Sequence, residues 1–329
     1  MFAFVVRRTV VMFVMLFLLS VVTFLMFTLV PTDPAALSCG KSCTPDVIEA
    51  NRVRMELDQP LAVQYGRFVK GFVADRTYGS GTQTFECPAP CLGYSFKEGE
   101  DVRTLITDAL PPTVSLAIGA FILWMVTGIL LGVYAALRRG KWQDRTAMGF
   151  ALVGYSFPSF FLGYILLYFF VFKFEILPFP KWVPLSESPS EWFLGLILPW
   201  VTLAMLFAAY YVRLTRNQML ETLGEDYVRT ARSKGLRERR VIYKHGFRAG
   251  LTPLVTSAGL DLAGLLGGAI IAEAVFGIPG LGRLALTSVL DSDLNVIVAI
   301  VLLTASFIIV ANLVVDILYA VIDPRVRVA

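Results

Sequence analysis

The sequence predicts an all-α integral membrane protein: six transmembrane helices, both termini cytoplasmic, and a helical external insertion between spans 1 and 2. Three observations carry this. The 329 residues are 56% hydrophobic and 16% charged, with a mean hydropathy of +0.68, whereas soluble domains average about 45–50% apolar and about 25% charged. The apolar residues fall into six runs, each long enough to cross a bilayer core of about 30 Å, which takes roughly 20 residues. Lys and Arg are divided unequally between the segments that join the runs, and that bias orients a bundle.

Composition also excludes. The net charge of +4 is modest and sits beside the apolar runs, so lipid is the expected surroundings and nucleic acid is not an expected partner. A single histidine, His245, removes most histidine-based metal sites and acid–base pairs. No metal site and no catalytic residue is assigned. The chain has no G-x-x-x-x-G-K-[ST] phosphate loop, so it is not an ATPase by that route.

Residues 9–30 form the first run, behind Arg7 and Arg8. The run lacks the short h-region and small-residue cleavage site of a signal peptide, and reads as an uncleaved span. Residues 31–110 are the sizeable polar region. Thr44-Pro45 suits a helix start, and Leu61, Tyr65, Phe68 and Phe72 make an apolar stripe suited to a helix lying on the membrane surface or the bundle mouth. All four cysteines are here, as Cys39-x-x-x-Cys43 and Cys87-x-x-x-Cys91. In an oxidising compartment they suggest two disulfides of open connectivity. A four-cysteine metal site or free thiols are the alternatives.

Pro111-Pro112 is read as the start of the second span, 112–136. The third covers 146–173 with a kink at Pro158, the fourth 194–212, the fifth 251–275 and the sixth 294–320. The chain thus divides into 1–30 (terminus and first span), 31–110 (external, cysteine-containing) and 111–329 (five-span core). With both ends inside, the cytoplasmic pieces hold 18 Lys and Arg, against three in the short external loops, Lys173, Lys181 and Arg283. The long first loop holds eight, but long loops translocate largely regardless of charge.

The one long charged stretch between two apolar runs is 220–250, continuing to Pro253. Leu220, Leu223, Tyr227 and Ala231 share a helical stripe, and Glu225 and Asp226 precede Arg229, Arg232 and Lys234 in the order that suits the helix dipole. Gly235 supplies a left-handed C′ position. A second basic helix follows from Arg237 to about Arg248, and Gly250 and Pro253 are where the chain is expected to turn into the fifth span.

Asp226-Tyr227-Val228-Arg229 followed by Thr230-Ala231-x-x-x-Gly235 resembles the cytoplasmic coupling segment of permease subunits of ATP-binding-cassette importers, most closely the branch that imports di- and oligopeptides. Many importers outside that branch have an acidic residue where this chain has Arg229. The resemblance runs along nearly the whole chain. It includes Pro31-Thr32-Asp33-Pro34, Leu57-Asp58-Gln59-Pro60-Leu61, Leu110-Pro111-Pro112-Thr113, Asp144-Arg145, Ser156-Phe157-Pro158-Ser159-Phe160, Phe276-Gly277-Ile278-Pro279-Gly280-Leu281-Gly282 and Asp323-Pro324-Arg325. The cysteine-bearing insertion has no counterpart in the general pattern.

The resemblance implies a bacterial plasma-membrane (inner-membrane) subunit, with 31–110 external. It would pair with a second homologous permease, two ATPase subunits that hold ATP and Mg, and an external binding protein that delivers peptide. Tyr227, Arg229, Ala231, Arg232, Lys234 and Gly235 would dock the ATPase. Carboxylates within spans are costly and mark functional candidates: Asp261 and Glu273 are candidates to line the substrate path, and Asp316, beside Asn312, lies near the inner end. The same architecture serving nickel chelates or another small solute is the alternative. A stand-alone secondary transporter or membrane enzyme fits less well, since neither internal repeats nor a reactive cluster is evident.

Overall fold

The computed structural model describes residues 2–29, 34–37, 44–54, 57–80 and 83–322. Cys39, Cys43 and the Asp323-Pro324-Arg325 motif lie outside them. Helix α1 (Phe2–Leu29) is apolar all round and buries little of itself, as a helix in contact mainly with lipid does. It leads to α2 (Pro34–Leu37), α3 (Pro45–Arg54) and α4 (Leu61–Gly71). The α4 stripe faces α1: the Tyr65 and Phe68 rings lie 5.3 and 5.9 Å from Phe24, and Ser20 Oγ is 2.8 Å from the Tyr65 hydroxyl.

The insertion is not wholly helical, which corrects the sequence reading. Strands β1 (Arg76–Ser80) and β2 (Gln83–Cys87) pair antiparallel with Tyr78 opposite Phe85, and β3 (Tyr94–Ser95) pairs with β4 (Glu100–Asp101). Tyr78, Phe85, Tyr94 and Phe96 pack into one aromatic cluster, and such cross-strand pairs are what stabilise short ribbons. Cys87 bonds Cys91. The loop they close is pinned on three sides: Cys91 N–H donates to the Gly71 carbonyl (2.7 Å), Ala89 N–H to Asp75 Oδ1 (2.7 Å), and Arg103 Nη1 to the Ala89 carbonyl (2.9 Å).

Helix α5 (Val102–Leu137) begins well before Pro111, so the boundary drawn at 110 falls inside a helix. Asp101 caps it through Oδ1, which accepts from Thr104 N–H at 2.8 Å, and burial of Val102, Ile106 and Ala109 carries the helix into the prolines. After α6 (Trp142–Ser156) the chain is extended at Phe157 and Pro158, then forms α7 (Ser159–Leu167) and a π-type turn, Tyr168–Lys173. The Pro158 kink is therefore a turn of 99° between Trp142–Gly154 and Ser159–Lys173. Helix α8 (Pro189–Gly224) outruns the apolar run 194–212 at both ends and makes its most extensive contact with α5. Gly128 and Gly132 of α5 create that contact: an added Cβ at either would lie 2.5 Å from the Cβ of Tyr211 or Thr215, and small residues are what let spans approach this closely.

Beyond α8 come α9 (Asp226–Ser233), α10 (Glu238–Arg240), a π-type stretch Val241–Phe247 and α11 (Arg248–Leu266). No turn occurs at Gly250 or Pro253; 238–266 is one continuous helical rod with Pro253 inside it. The expected fifth span, 251–275, is instead broken after Leu266. Gly268 takes φ +117°, and α12 (Ile270–Phe276) and α13 (Leu281–Leu290) follow at 90° to each other. Helix α14 (Leu294–Ile322) closes the bundle. Among the described residues, by length and composition, five helices can cross a membrane, or up to seven if each bent pair is counted as a span.

Two ends of the bundle are distinct. At one, Arg8 Nη1 lies 3.0 Å from Asp316 Oδ2, joining α1 to α14. At the other, Asn295 Nδ2 donates to the Tyr94 carbonyl (2.7 Å) and Ser95 Oγ to Asp293 Oδ2, fastening the β3–β4 ribbon to the start of α14.

Candidate functional site

The charged segment forms a small knob at the end of α8. The backbone is extended at Glu225 (φ −68°, ψ 148°), which separates α8 from α9 and divides the expected stripe. Val228 and Ala231 face inward with Val241, against Leu223 and Leu236. Tyr227 is turned outward, 44% exposed, and its hydroxyl donates to the His245 carbonyl at 3.3 Å. Burial, then the nearby Glu225 carboxylate, raises the Tyr227 pKa above its ordinary value, so the hydroxyl remains a donor. Arg229, Arg232 and Lys234 are exposed.

Gly235 ends α9 at φ +73°, a left-handed conformation that costs an L-residue roughly 1–2 kcal/mol. Arg232 Nη2 reaches across the turn to Glu238 Oε1 at 2.8 Å. Beside it lies an open groove of about 660 Å³ lined by Gly235, Leu236, Arg237, Arg239, Arg240 and Tyr243. Val228 and Val241, each wholly buried, hold the knob together. The docking set does not include them; the signal for Val228 is its position three residues before Ala231.

The stem of the knob is fastened to α6. Arg216 of α8 donates from Nε and Nη2 to the two oxygens of Asp144 at 2.6 and 2.8 Å, and Gly140 N–H donates to Asp144 Oδ2 at 2.9 Å. In the sequence Arg216 counts only toward the basic excess.

The two path candidates lie in unlike settings. Asp261 is half-buried on α11 and accepts from the Tyr211 hydroxyl at 2.7 Å. Glu273 has no exposed surface. Thr113 Oγ donates to its Oε1 (2.9 Å), Ala269 N–H to Oε1 (3.2 Å) and Arg283 N–H to Oε2 (2.8 Å). Leu281 N–H in turn donates to Thr113 Oγ (2.8 Å). Glu273 therefore ties the α12–α13 hairpin to α5. Among the described residues no three His, Cys, Asp or Glu come together as a metal site.

Residues 128–328 match the family described as binding-protein-dependent transport system inner membrane component, and residues 1–117 match its N-terminal companion family. The chain belongs to this family. This inner-membrane component is 37% identical over 327 residues to a peptide transport system permease protein of Brucella abortus (strain 2308), covering 99% of each chain. It is 38% identical, at the same coverage, to the glutathione transport system permease protein GsiC of Escherichia coli K12. Its fold resembles that of a chain in an inward-facing structure of the MetNI methionine ABC transporter, with TM-score 0.52 and 18% identity over 67% of this chain and 97% of that one. It is thus a multi-pass permease subunit of the ATP-binding-cassette class, distinct from the subunits that hydrolyse ATP.

Proposed function

We propose that this permease is one of two related membrane-spanning subunits of an importer that carries di- and oligopeptides across the bacterial inner membrane. Peptide delivered by an external binding protein passes between the two permeases, and two ATPase subunits, holding ATP and Mg, sit beneath them. The chain crosses six times, with α6–α7 as a bent span, α12–α13 re-entering, both termini inside and the β-ribbons outside. The observation that carries this reading is the knob itself: a short helix stood off the end of α8, packed from beneath by Val228, Ala231 and Val241, and presenting Tyr227, Arg229, Arg232 and Lys234. Ala231 shapes the knob from within, while the exposed residues make the contact. Closure of the ATPases on ATP moves the knob, and α8 converts that movement into a rigid-body rocking of the spans.

The test is co-expression with candidate ATPases and the second permease, followed by peptide-stimulated hydrolysis and uptake. No other atom lies within 4 Å of a Cβ at Gly235, so Gly235→Trp projects bulk outward and strains the turn without disturbing the bundle. It should release the ATPases or uncouple hydrolysis from uptake. Normal uptake with that change, or labelling of residues 225–248 from outside, sinks the proposal.

A further inference from the structure

A carboxylate at the depth of the hydrocarbon has to meet water, a counter-charge or a dense set of donors. Glu273 has the donors, and Asp316 has Arg8. Asp261 has neither. Its Oδ2 takes one hydrogen bond, from Tyr211, and it forms no ion pair among the described residues.

Its depth follows from its neighbours. Gly259, two residues before it, packs on Val315 of α14, and Gly267, six after it, packs on Thr304. Those contacts place Asp261 between roughly 15 and 31 Å along α14 from its Leu294 end, in the middle of the bundle. Ser257, Asp261 and Gly264 recur at i, i+4 and i+7, one face of α11. The Tyr210 hydroxyl, on α8, lies 3.3 Å from Ser257 Oγ. Tyr210 and Gly264 are exposed, and Ser257 and Asp261 partly so. The uncovered face of α5 at similar depths carries Ile118, Ile122, Val126 and Leu130, as a lipid-facing surface should. The α11 face carries hydroxyls and a carboxylate instead, groups that lipid does not solvate. Tyr211 is fully buried, and its hydroxyl orients the carboxylate through Oδ2, leaving Oδ1 without a hydrogen bond among the described residues.

We infer that Asp261 is a transit subsite for the cationic amino group of the carried peptide, with Tyr211 as its positioning residue and Ser257 and Tyr210 as flanking hydrogen-bonding groups. The inference rests on the peptide-importer reading and adds the chemistry the passage recognises.

The test uses the complete importer in proteoliposomes, with external binding protein loaded to equal occupancy with radiolabelled alanyl-alanine or its N-acetyl derivative. Wild type should move the free-amine peptide at least tenfold faster than the acetylated one. Asp261→Asn should bring the free-amine rate down to the acetylated rate, leave the latter unchanged, and retain ATPase and second permease on purification. Asp261→Glu should recover most of the preference. Retention of the preference by Asp261→Asn overturns the assignment, as does an equal loss for both peptides. Loss of the second permease from the purified variant also overturns it, because Asp261 would then be pairing across that interface. Wild-type vesicles that take up neither peptide would refute the importer reading and this inference with it; wild-type uptake that Asp261→Asn does not alter refutes the inference alone.

Discussion

Arg216 grips Asp144 with two nitrogens, and the pair is the fixed joint between the stem of the knob and the start of α6. The Asp144 side chain is only 5% exposed and the Arg216 side chain 19%. Deleting one partner of a buried pair strands the other, at a cost of roughly 3–5 kcal/mol. Arg216→Met should therefore lower stability by about that amount. Asp144→Asn should cost less, because an amide oxygen still accepts from Gly140 and the arginine still reaches water. Unfolding in detergent, followed by tryptophan fluorescence, ranks the two. If Arg216→Met proves the milder, the joint has been misread.

The contact between α5 and α8 depends on the missing side chain at Gly128. A Cβ there would sit 2.5 Å from the Tyr211 Cβ, well inside van der Waals contact, and Tyr211 is wholly buried with the Trp124 ring 6.3 Å away. Neither helix can yield locally. Overpacking of this kind costs about 1–3 kcal/mol, and Gly128→Val should reach the upper part of that range. Gly149, where an added Cβ meets nothing within 4 Å, is the control: Gly149→Ala should leave the melting temperature nearly unchanged. Equal stability of both variants would contradict the packing.

How far the chain was legible follows from which forces act locally. The turn at Gly235 is visible in the sequence because a left-handed C′ position selects glycine on its own. The stripe of α4 is visible because its partner, α1, lies alongside it. The break after Leu266 is not, since Gly267 and Gly268 stand within an apolar run whose composition never changes, and what folds the chain back is Thr113, more than 150 residues upstream, and its bond to Glu273. The hairpin of β1 and β2 carried a readable signal, Tyr78 and Phe85 flanking Gly79-Ser80-Gly81, which the helical stripe of α4 overshadowed. Asp261 was legible as a carboxylate in a span. Its orientation was not, because that depends on Tyr211, a neighbour only after α8 and α11 pack.

The Cys87–Cys91 bond closes a short loop, with a sequence separation of four. Loop-closure entropy for so few residues gives about 2 kcal/mol. The stabilisation belongs to the ribbon region, where the loop is fastened to Gly71, Asp75 and Arg103, and the spans do not share in it. Replacing both cysteines with serine should accelerate amide hydrogen exchange in residues 76–95 by about tenfold or more, while exchange in α5 and α8 stays as it was. Unchanged protection in the ribbon would mean that the aromatic cluster alone holds it.

Asp293 links pH to the anchorage of that ribbon. It lies between α13 and α14, only 8% exposed, accepting from Ser95 Oγ and, at 3.5 Å, from Val296 N–H. Burial pushes its carboxyl above the usual aspartate range, and the hydrogen bonds from Ser95 and the backbone only partly offset that. A raised folded-state pKa means the folded protein holds the proton more tightly than the unfolded chain, whose value is about 3.9. The contribution to stability is therefore greatest below that value. It declines as pH rises through the window up to the folded pKa and is constant above it. Asp293→Asn removes the ionisation and keeps an acceptor for Ser95. The Tm of the variant minus that of wild type should rise from about pH 4 toward neutrality and then level off. A difference that is flat across pH would show that folding leaves its pKa unshifted, and one largest in acid that Asp293 is stabilised as a carboxylate.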